Sequence, residues 1–434
     1  MMVCKCIYTI LMSLLVTQAT FAQKEDTLIA PGDTLPPPYA TSSATNFSNV
    51  IGWKEGETPV APEGFIVTKY ADSLQNPRWM YMLPNGDVLV AESNTPHKFF
   101  EKVGAAIIGA NKSNDMRKSA NRITLLRDTD GDGKPDTRTT FLKDLNLPFG
   151  MLLLKDAFYV ANTDGLWMYP YKNGQTTITS KGKKILDLPA GKHNRHWTRN
   201  IIANPQGTKI YIAIGSGSNV AENGLEEDKD KARIWEINPD GSGLKVYASG
   251  LRNPVGMDWE PVTGSLWVAV NERDELGDNL VPDYITSVKE NGFYGWPFSY
   301  YGQHPDPRIK PEEQDSALVR RAVIPDVSLG AHTASLGLVF YRQTKFPEKY
   351  RGGAFIAQHG SWNRSVLAGY CVLFVPFKNG WPAGKPEAFL TGFIVNPEKD
   401  EVRGRPVGLI TLQDGSLLLT DDTSDTIWRI AAGQ

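Results

Sequence analysis

Trp267-Val268-Ala269-Val270-Asn271 is a short apolar run that reaches a small residue and then turns polar. Five β-prone residues bounded by polar clusters read as one buried strand. The same phrase returns as Leu89-Val90-Ala91-Glu92, Tyr159-Val160-Ala161-Asn162, Tyr211-Ile212-Ala213-Ile214-Gly215, Phe355-Ile356-Ala357-Gln358-His359 and Leu418-Leu419-Thr420-Asp421, six copies in all. A second phrase leads into it: Leu74-x-x-Pro77, Leu145-x-x-Pro148, Leu251-x-x-Pro254 and Arg403-Gly404-Arg405-Pro406. Between the two lie hairpin turns such as Pro84-Asn85-Gly86-Asp87, Pro205-Gln206-Gly207 and Gln413-Asp414-Gly415. The runs Arg122–Leu126, Arg233–Ile237 and Thr426–Ile430 read as closing strands. Six units of short antiparallel strands, with no long amphipathic helix between them, predict an all-β chain folded as a six-bladed β-propeller. Two β-sandwiches would fit the length but not the six-fold recurrence.

Around this repeat the chain divides unevenly. Lys5, the apolar run Ile7–Val16 and Thr20-Phe21-Ala22 have the order of a secretory signal, so residues 1–22 read as a signal peptide with Gln23 as the mature start. The run is short for a spanning helix, and the rival reading is an uncleaved anchor. The expected address is periplasmic or secreted, with no integral membrane segment after cleavage. Residues 23–62, rich in Pro, Ser and Thr and including Pro36-Pro37-Pro38, read as an extended arm or linker on the surface; 63–434 is the propeller. The formal net charge of −2 gives no case for nucleic acid. Of three cysteines, Cys4 and Cys6 fall in the signal segment and leave Cys371 alone. That excludes a disulfide framework, a cysteine zinc site and a Cys-x-x-Cys-His haem attachment.

In a propeller, loops flanking the inner strands converge on one mouth, so polar residues that recur there deserve weight. Arginine does so at Arg78, Arg199, Arg252, Arg273, Arg364, Arg403 and Arg405, and histidine at His196, His332 and His359. Each arginine alone reads equally as a salt bridge within or between blades. Together they point to a polyanionic ligand.

His196-Trp197-Thr198-Arg199-Asn200, Gly250-Leu251-Arg252-Asn253-Pro254, Asn271-Glu272-Arg273-Asp274-Glu275, Tyr294-Gly295-Trp296-Pro297, Gln358-His359-Gly360-Ser361-Trp362-Asn363-Arg364 and Gly404-Arg405-Pro406-Val407-Gly408 resemble, as an ordered set, the quinoprotein glucose/sorbosone dehydrogenase family, in its sorbosone or pyranose dehydrogenase branch. The resemblance runs from about Pro62 onward. It implies pyrroloquinoline quinone (PQQ) and calcium (Ca2+) at the axis and oxidation of a sugar by hydride transfer. By that resemblance Arg252 and Asn253 hold the quinone end, and Arg403 and Arg405 clamp carboxylates. Arg199, His359, Trp362 and Arg364 also belong to the cofactor pocket. His359 stands roughly where one branch of the family has a lysine, and a core or inter-blade hydrogen bond is its alternative. Trp197, Trp296 and Trp362 offer faces to a sugar or pack between blades.

His196 is the expected general base, since an imidazole can take a carbinol proton near neutral pH, and Arg252 the expected stabiliser of the quinone oxyanion. His193 is the fallback base, and His332 a candidate for the substrate mouth. The backbone carbonyls of Glu272 and Arg273 are the implied ligands of active-site calcium. Separately, Asp128-x-Asp130-x-Asp132-Gly133 followed by Asp136 has the alternating oxygen spacing of a calcium loop, though Thr139 stands at the twelfth position. It reads as a structural calcium loop between blades or as a bare Asp-rich turn. With no haem motif in the chain, electrons must pass to a separate acceptor, a cytochrome or a quinone. Two rival functions remain: a propeller lactonase using Glu92, Asn162 and Asp421 on a metal, and a binding propeller that has lost its cofactor.

Overall fold

The computed structural model describes residues 34–95, 110–113 and 117–433; the expected signal segment, with Cys4 and Cys6, lies outside them. Among the described residues one α-helix appears, Ser316–Arg320, and no helix is long and apolar enough to cross a membrane. The rest is built from small sheets.

Six of these sheets have at least four strands. In chain order their first strands are Pro77–Met82, Met151–Leu154, Arg199–Ala203, Pro254–Trp259, Ser335–Phe340 and Pro406–Thr411. Each pairs antiparallel with a second strand carrying the repeated apolar phrase, all six of which are fully buried or nearly so. Second strands then pair with third strands such as Arg122–Arg127 and Arg233–Ile237. Those runs were expected to close their units, but they are interior. A fourth strand lies outside each, for example Thr137–Leu142 and Lys245–Ser249. These outer strands are partly exposed and polar, so they lack the apolar phrase that marks the others.

The first strands adjoin one another in cyclic order and return to the start: Pro406–Thr411 touches both Ser335–Phe340 and Pro77–Met82. That approach is close. A Cβ on Gly256 would sit 2.5 Å from the Leu336 carbonyl, and one on Gly337 would sit 2.3 Å from the Val407 carbonyl. Both glycines are flanked by buried apolar residues, as are Gly150 and Gly408 in the same kind of position. A side chain there would force neighbouring sheets apart. The arrangement is consistent with a β-propeller. Its outermost closing strand is Phe65–Ala71, which pairs antiparallel with Thr426–Ala432 and so joins the two ends of the chain in one sheet.

Because that strand sits at an outer edge, the residues before it must cross the face of the ring to reach it. Leu35 packs with Leu276, Leu280, Val281 and Tyr300. Asn46 N–H donates to the Trp362 carbonyl at 2.8 Å, and Phe47 stacks on the Trp362 ring. Asn49–Val50 then runs parallel to Glu401–Val402. Trp53 ends the crossing against Phe393 and Trp428, with Nε1 donating to Asp421 Oδ2 at 2.9 Å. The described part of the arm is therefore docked along its length. Replacing the half-buried Trp53 by Ala removes two ring contacts and one buried hydrogen bond, and should cost about 2–4 kcal/mol. A lowered urea midpoint would register it; an unchanged midpoint would show that the arm adds nothing to stability.

Candidate active site

Antiparallel register decides where the polar residues gather. The start of each first strand faces the end of its second strand: Pro77 pairs with Glu92, Arg199 with Ile214, Pro254 with Val270, Ser335 with Gln358 and Pro406 with Asp421. Loops entering the first strands and leaving the second therefore share one end of the ring, near its axis. His196, Arg252, Asn253, His332 and Arg405 stand on the entering loops. Ser216, Asn271–Asp274, His359 and Asp422 stand on the leaving ones.

His196 is held by its Nδ1, which lies 2.8 Å from the Ser216 carbonyl and 3.0 Å from Ser216 Oγ. A carbonyl oxygen only accepts, so Nδ1 carries the proton and Nε2 keeps its lone pair. Nε2 has no hydrogen-bond partner among the described residues. Burial, reinforced by the positive fields of Arg252 and Arg195, holds the imidazole well below its usual 6.5. His196 is thus a neutral base with a fixed tautomer. Beside it, the Asn253 amide makes no hydrogen bond to a described residue, and its buried Oδ1 is unpaired. Gly215 is what lets the two approach: a Cβ there would lie 2.5 Å from both Asn253 Oδ1 and His196 Cβ. His193, by contrast, contributes its backbone carbonyl to Lys231 Nζ at 2.6 Å.

The arginines gather as the sequence suggests, yet most face protein. Arg199 is fully buried and donates to the carbonyls of His196, Thr198 and Pro189 and to Asn194 Oδ1, at 2.7 to 2.9 Å. With no carboxylate bonded to it, burial lowers its guanidinium to about 9. Arg252 donates to the Asn271 and Glu272 carbonyls at 3.2 and 2.6 Å, to Asn219, and to Asp274 Oδ2 at 3.2 Å. Burial brings it to about 10. The Glu272 carbonyl, an implied calcium ligand, thus already accepts a guanidinium N–H. Arg273 is tied to Glu272, Asp306 and the carbonyls of Pro297 and Ser299, bracing the 297–306 loop.

Arg403 and Arg405 take different partners. Arg403 makes a bidentate pair with Glu57 of the arm, both distances 2.8 Å, and lies over the Trp53 ring. That pair draws Glu57 down to about 2. Arg405 donates to the His359 and Gly360 carbonyls at 2.9 and 3.0 Å. His359 Nε2 sits 2.9 Å from Asp422 Oδ1, and Asp422 also pairs with Arg78. Burial opposes the charge on Asp422, but His359 and Arg78 hold the carboxyl well below its usual range. Arg364 reaches the Ala331 carbonyl and Asn279.

On the other side, His332 Nε2 donates to the Gly277 carbonyl at 2.8 Å and Nδ1 lies 3.4 Å from Asp274 Oδ1. Burial disfavours its charge, but Asp274 and that carbonyl raise the imidazole above its usual value. Two mouth histidines therefore lean opposite ways, His196 towards its neutral form and His332 towards its charged form. Trp197 and Trp296 are buried and donate to Thr95 Oγ1 and the Asn219 carbonyl, so both are packing residues. Trp362 is half-buried between Phe47 and the guanidinium of Arg195.

Asp128, Asp130 and Asp136 bring carboxylate oxygens within 4.8 Å of one another, in the loop between the third and fourth strands of the first large sheet. Asp132 is outside that trio and accepts from Lys134 N–H at 2.8 Å. The loop lies within one sheet rather than between two.

A family model described as a domain of unknown function, DUF7133, matches residues 61–361, and a TrAA12-like model matches 301–432. The chain belongs to the DUF7133 family. An uncharacterized protein of Borreliella burgdorferi is 32% identical over 310 residues, covering 67% of this chain and 77% of that one. A pyrroloquinoline quinone-dependent pyranose dehydrogenase of Coprinopsis cinerea is 23% identical over 325 residues, 62% of this chain and 43% of that protein. The DUF7133 chain thus aligns with less than half of that enzyme's length. The holo pyranose dehydrogenase PQQ domain of the same fungus superposes with a TM-score of 0.68 at 19% identity, covering 89% of this chain and 100% of that domain. The resemblance to quinoprotein sugar dehydrogenases is therefore present in both sequence and fold.

Residues that had no role assigned from the sequence complete the site: Ser216, Asp274 as a side chain, Asp422 and Arg195. Asp422 had a signal, as the polar residue after the last repeated phrase. Arg195 stands four residues before Arg199, where the resemblance has a histidine, and the other two had no signal.

Two measurements probe this geometry. The His196 imidazole should be neutral at pH 6.5 by NMR, and Arg195→Gln, which removes a positive field, should raise its pKa. A His196 titrating at or above 6.5 contradicts the site described. The sign for stability follows: the unfolded chain takes up a proton at His196 that the native state refuses, so this residue makes stability fall as pH drops below 6.5. Second, Gly215→Ala should force His196 away from Asn253, lowering activity at least tenfold and lowering the melting temperature as well. Full activity in that variant would mean the two side chains need not be adjacent.

Proposed function

We propose that this chain is a sugar dehydrogenase that uses pyrroloquinoline quinone, with the six large sheets as the blades of a six-bladed propeller. One observation carries the reading: a base of fixed tautomer, His196, stands beside the uncommitted amide of Asn253 at the mouth of the ring. The donor chemistry fits a flat, polar, oxygen-rich group, because the Asn253 amide has both its atoms available on the buried floor beside His196. When bound, the quinone would supply a two-electron acceptor for a hydride, and a calcium held by carbonyls of the 271–274 loop, where the Glu272 carbonyl already accepts an Arg252 N–H, would supply Lewis-acid polarisation.

The protein's own residues do the rest. His196 Nε2 accepts the hydroxyl proton from the carbon being oxidised. Ser216 keeps the ring turned and the tautomer correct, and Arg199 holds the His196 carbonyl and hence the loop. Asn253 orients the cofactor edge through its amide. Arg252 is committed to the 271–274 loop, so it acts through its positive field on negative charge that develops above it. Substrate is a sugar oxidised at its carbonyl-level carbon, as a hemiacetal or an aldehyde hydrate. Electrons leave to a separate acceptor, and the protein works in the periplasm or outside the cell.

A lactonase reading is weakened by the proposed metal ligands. Glu92 is fully buried and held bidentate by Arg122 at 2.8 Å, and Asp421 accepts from Arg405 N–H and Trp53 Nε1. The test is to mix purified protein with PQQ and calcium and follow dye reduction across a panel of aldoses. Reduction should appear, and His196→Ala should lower kcat by ~10²–10⁴-fold, the usual worth of a positioned base. No dye reduction with any sugar, or lactone hydrolysis without PQQ, refutes the proposal.

A further inference from the structure

Among the mouth arginines, Arg195 alone keeps its donors unused. Its side chain is 42% exposed and makes no hydrogen bond to a described residue. The guanidinium rests over the Trp362 ring at 5.6 Å, which fixes its place while leaving its N–H edge open. Among the described residues the one carboxylate within ion-pair reach is Asp274, at 3.9 Å. That carboxylate already serves Arg252 at 3.2 Å and His332 at 3.4 Å. Glu222 also feels Arg195, but its oxygens accept the backbone N–H groups of Asn219 and Val220. Arg195 is thus left without a carboxylate of its own, since Asp274 is shared with Arg252 and His332 and Glu222 is committed to backbone N–H groups.

A planar fork with one uncompensated charge is matched by a carboxylate. Arg195 is also the residue before His196, so the anion it binds lies one residue from the base. It is at the exposed rim, whereas the Asn253 amide is on the buried floor. We infer that Arg195 binds a carboxylate on the substrate, so that the site prefers acidic sugars, of the uronic acid class, over neutral aldoses. The inference rests on the dehydrogenase reading above. The other source of the same chemistry is a carboxylate of the quinone cofactor.

The experiment compares the holoenzyme with Arg195→Gln and Arg195→Lys on a uronic acid and its neutral aldose, and titrates PQQ by tryptophan fluorescence. In Arg195→Gln the ratio of kcat/KM for acid over aldose should fall ~10–100-fold, mainly through KM, as the loss of a charge-assisted hydrogen bond predicts. Lysine should restore part of it, and PQQ affinity should stay within about twofold, since no cofactor contact is lost. An unmoved ratio overturns the inference. So does a tenfold weaker PQQ affinity with the ratio unmoved, which gives the carboxylate to the cofactor. If no sugar is oxidised at all, the dehydrogenase reading fails by itself. Calorimetry of uronate binding then decides: binding lost in Arg195→Gln upholds the carboxylate site, and absent or equal binding overturns it.

Discussion

Everything at the mouth depends on how closely six inner strands pack around one axis. Backbone meets backbone where Gly256 faces Leu336 and Gly337 faces Val407, which leaves no room for a side chain. Hydrophobic burial fills the spaces between sheets further out, as where Trp267 meets Phe340 and Phe377. With the strands that near, the loops at one end have nowhere to go but inward. A base, an amide and several cations from distant parts of the chain then share a few ångströms.

Bringing that many cations together carries an electrostatic cost, and the fold answers it mainly with backbone carbonyls. Arg199 uses three carbonyls, Arg405 two, and Arg273 two besides its carboxylates. A buried guanidinium with most of its donors paired is tolerable, and each one in return fixes the loop whose carbonyls it binds. The cations act as internal clasps for the loops that carry His196, His359 and the 297–306 segment. The geometry of the mouth and the satisfaction of its cations are therefore largely the same set of bonds.

The repeated apolar phrase made the second strands and the all-β character legible, because burial on both faces writes itself as an unbroken apolar run. The outer strands were illegible for the opposite reason: Lys183–Asp187 and Lys245–Ser249 face water and carry no distinctive pattern. His196 and Asn253 were readable through the resemblance to quinoprotein sugar dehydrogenases, not as neighbours. The partners of the arginines were not. Nothing local to Arg403 points to Glu57, hundreds of residues away, and composition alone cannot tell a docked arm from a loose one when its anchors are single residues such as Phe47 and Trp53. Arg195 carried no role in the sequence because its significance lies in the bonds it does not make.

The pairing of Phe65–Ala71 with Thr426–Ala432 also sets an order of events in time. Residue 65 is made well over three hundred residues before its partner near 432. Until then the first strand, and the arm behind it, have no edge to join. Local hairpins can form as they emerge, but the ring stays an open arc whose ends meet only once Thr426–Ala432 has been made. This final, most non-local step is the slow one by topology. It also seats the arm, placing Phe47 and Glu57 beside the mouth. The site is therefore assembled last, and an arc that has not closed has no complete pocket.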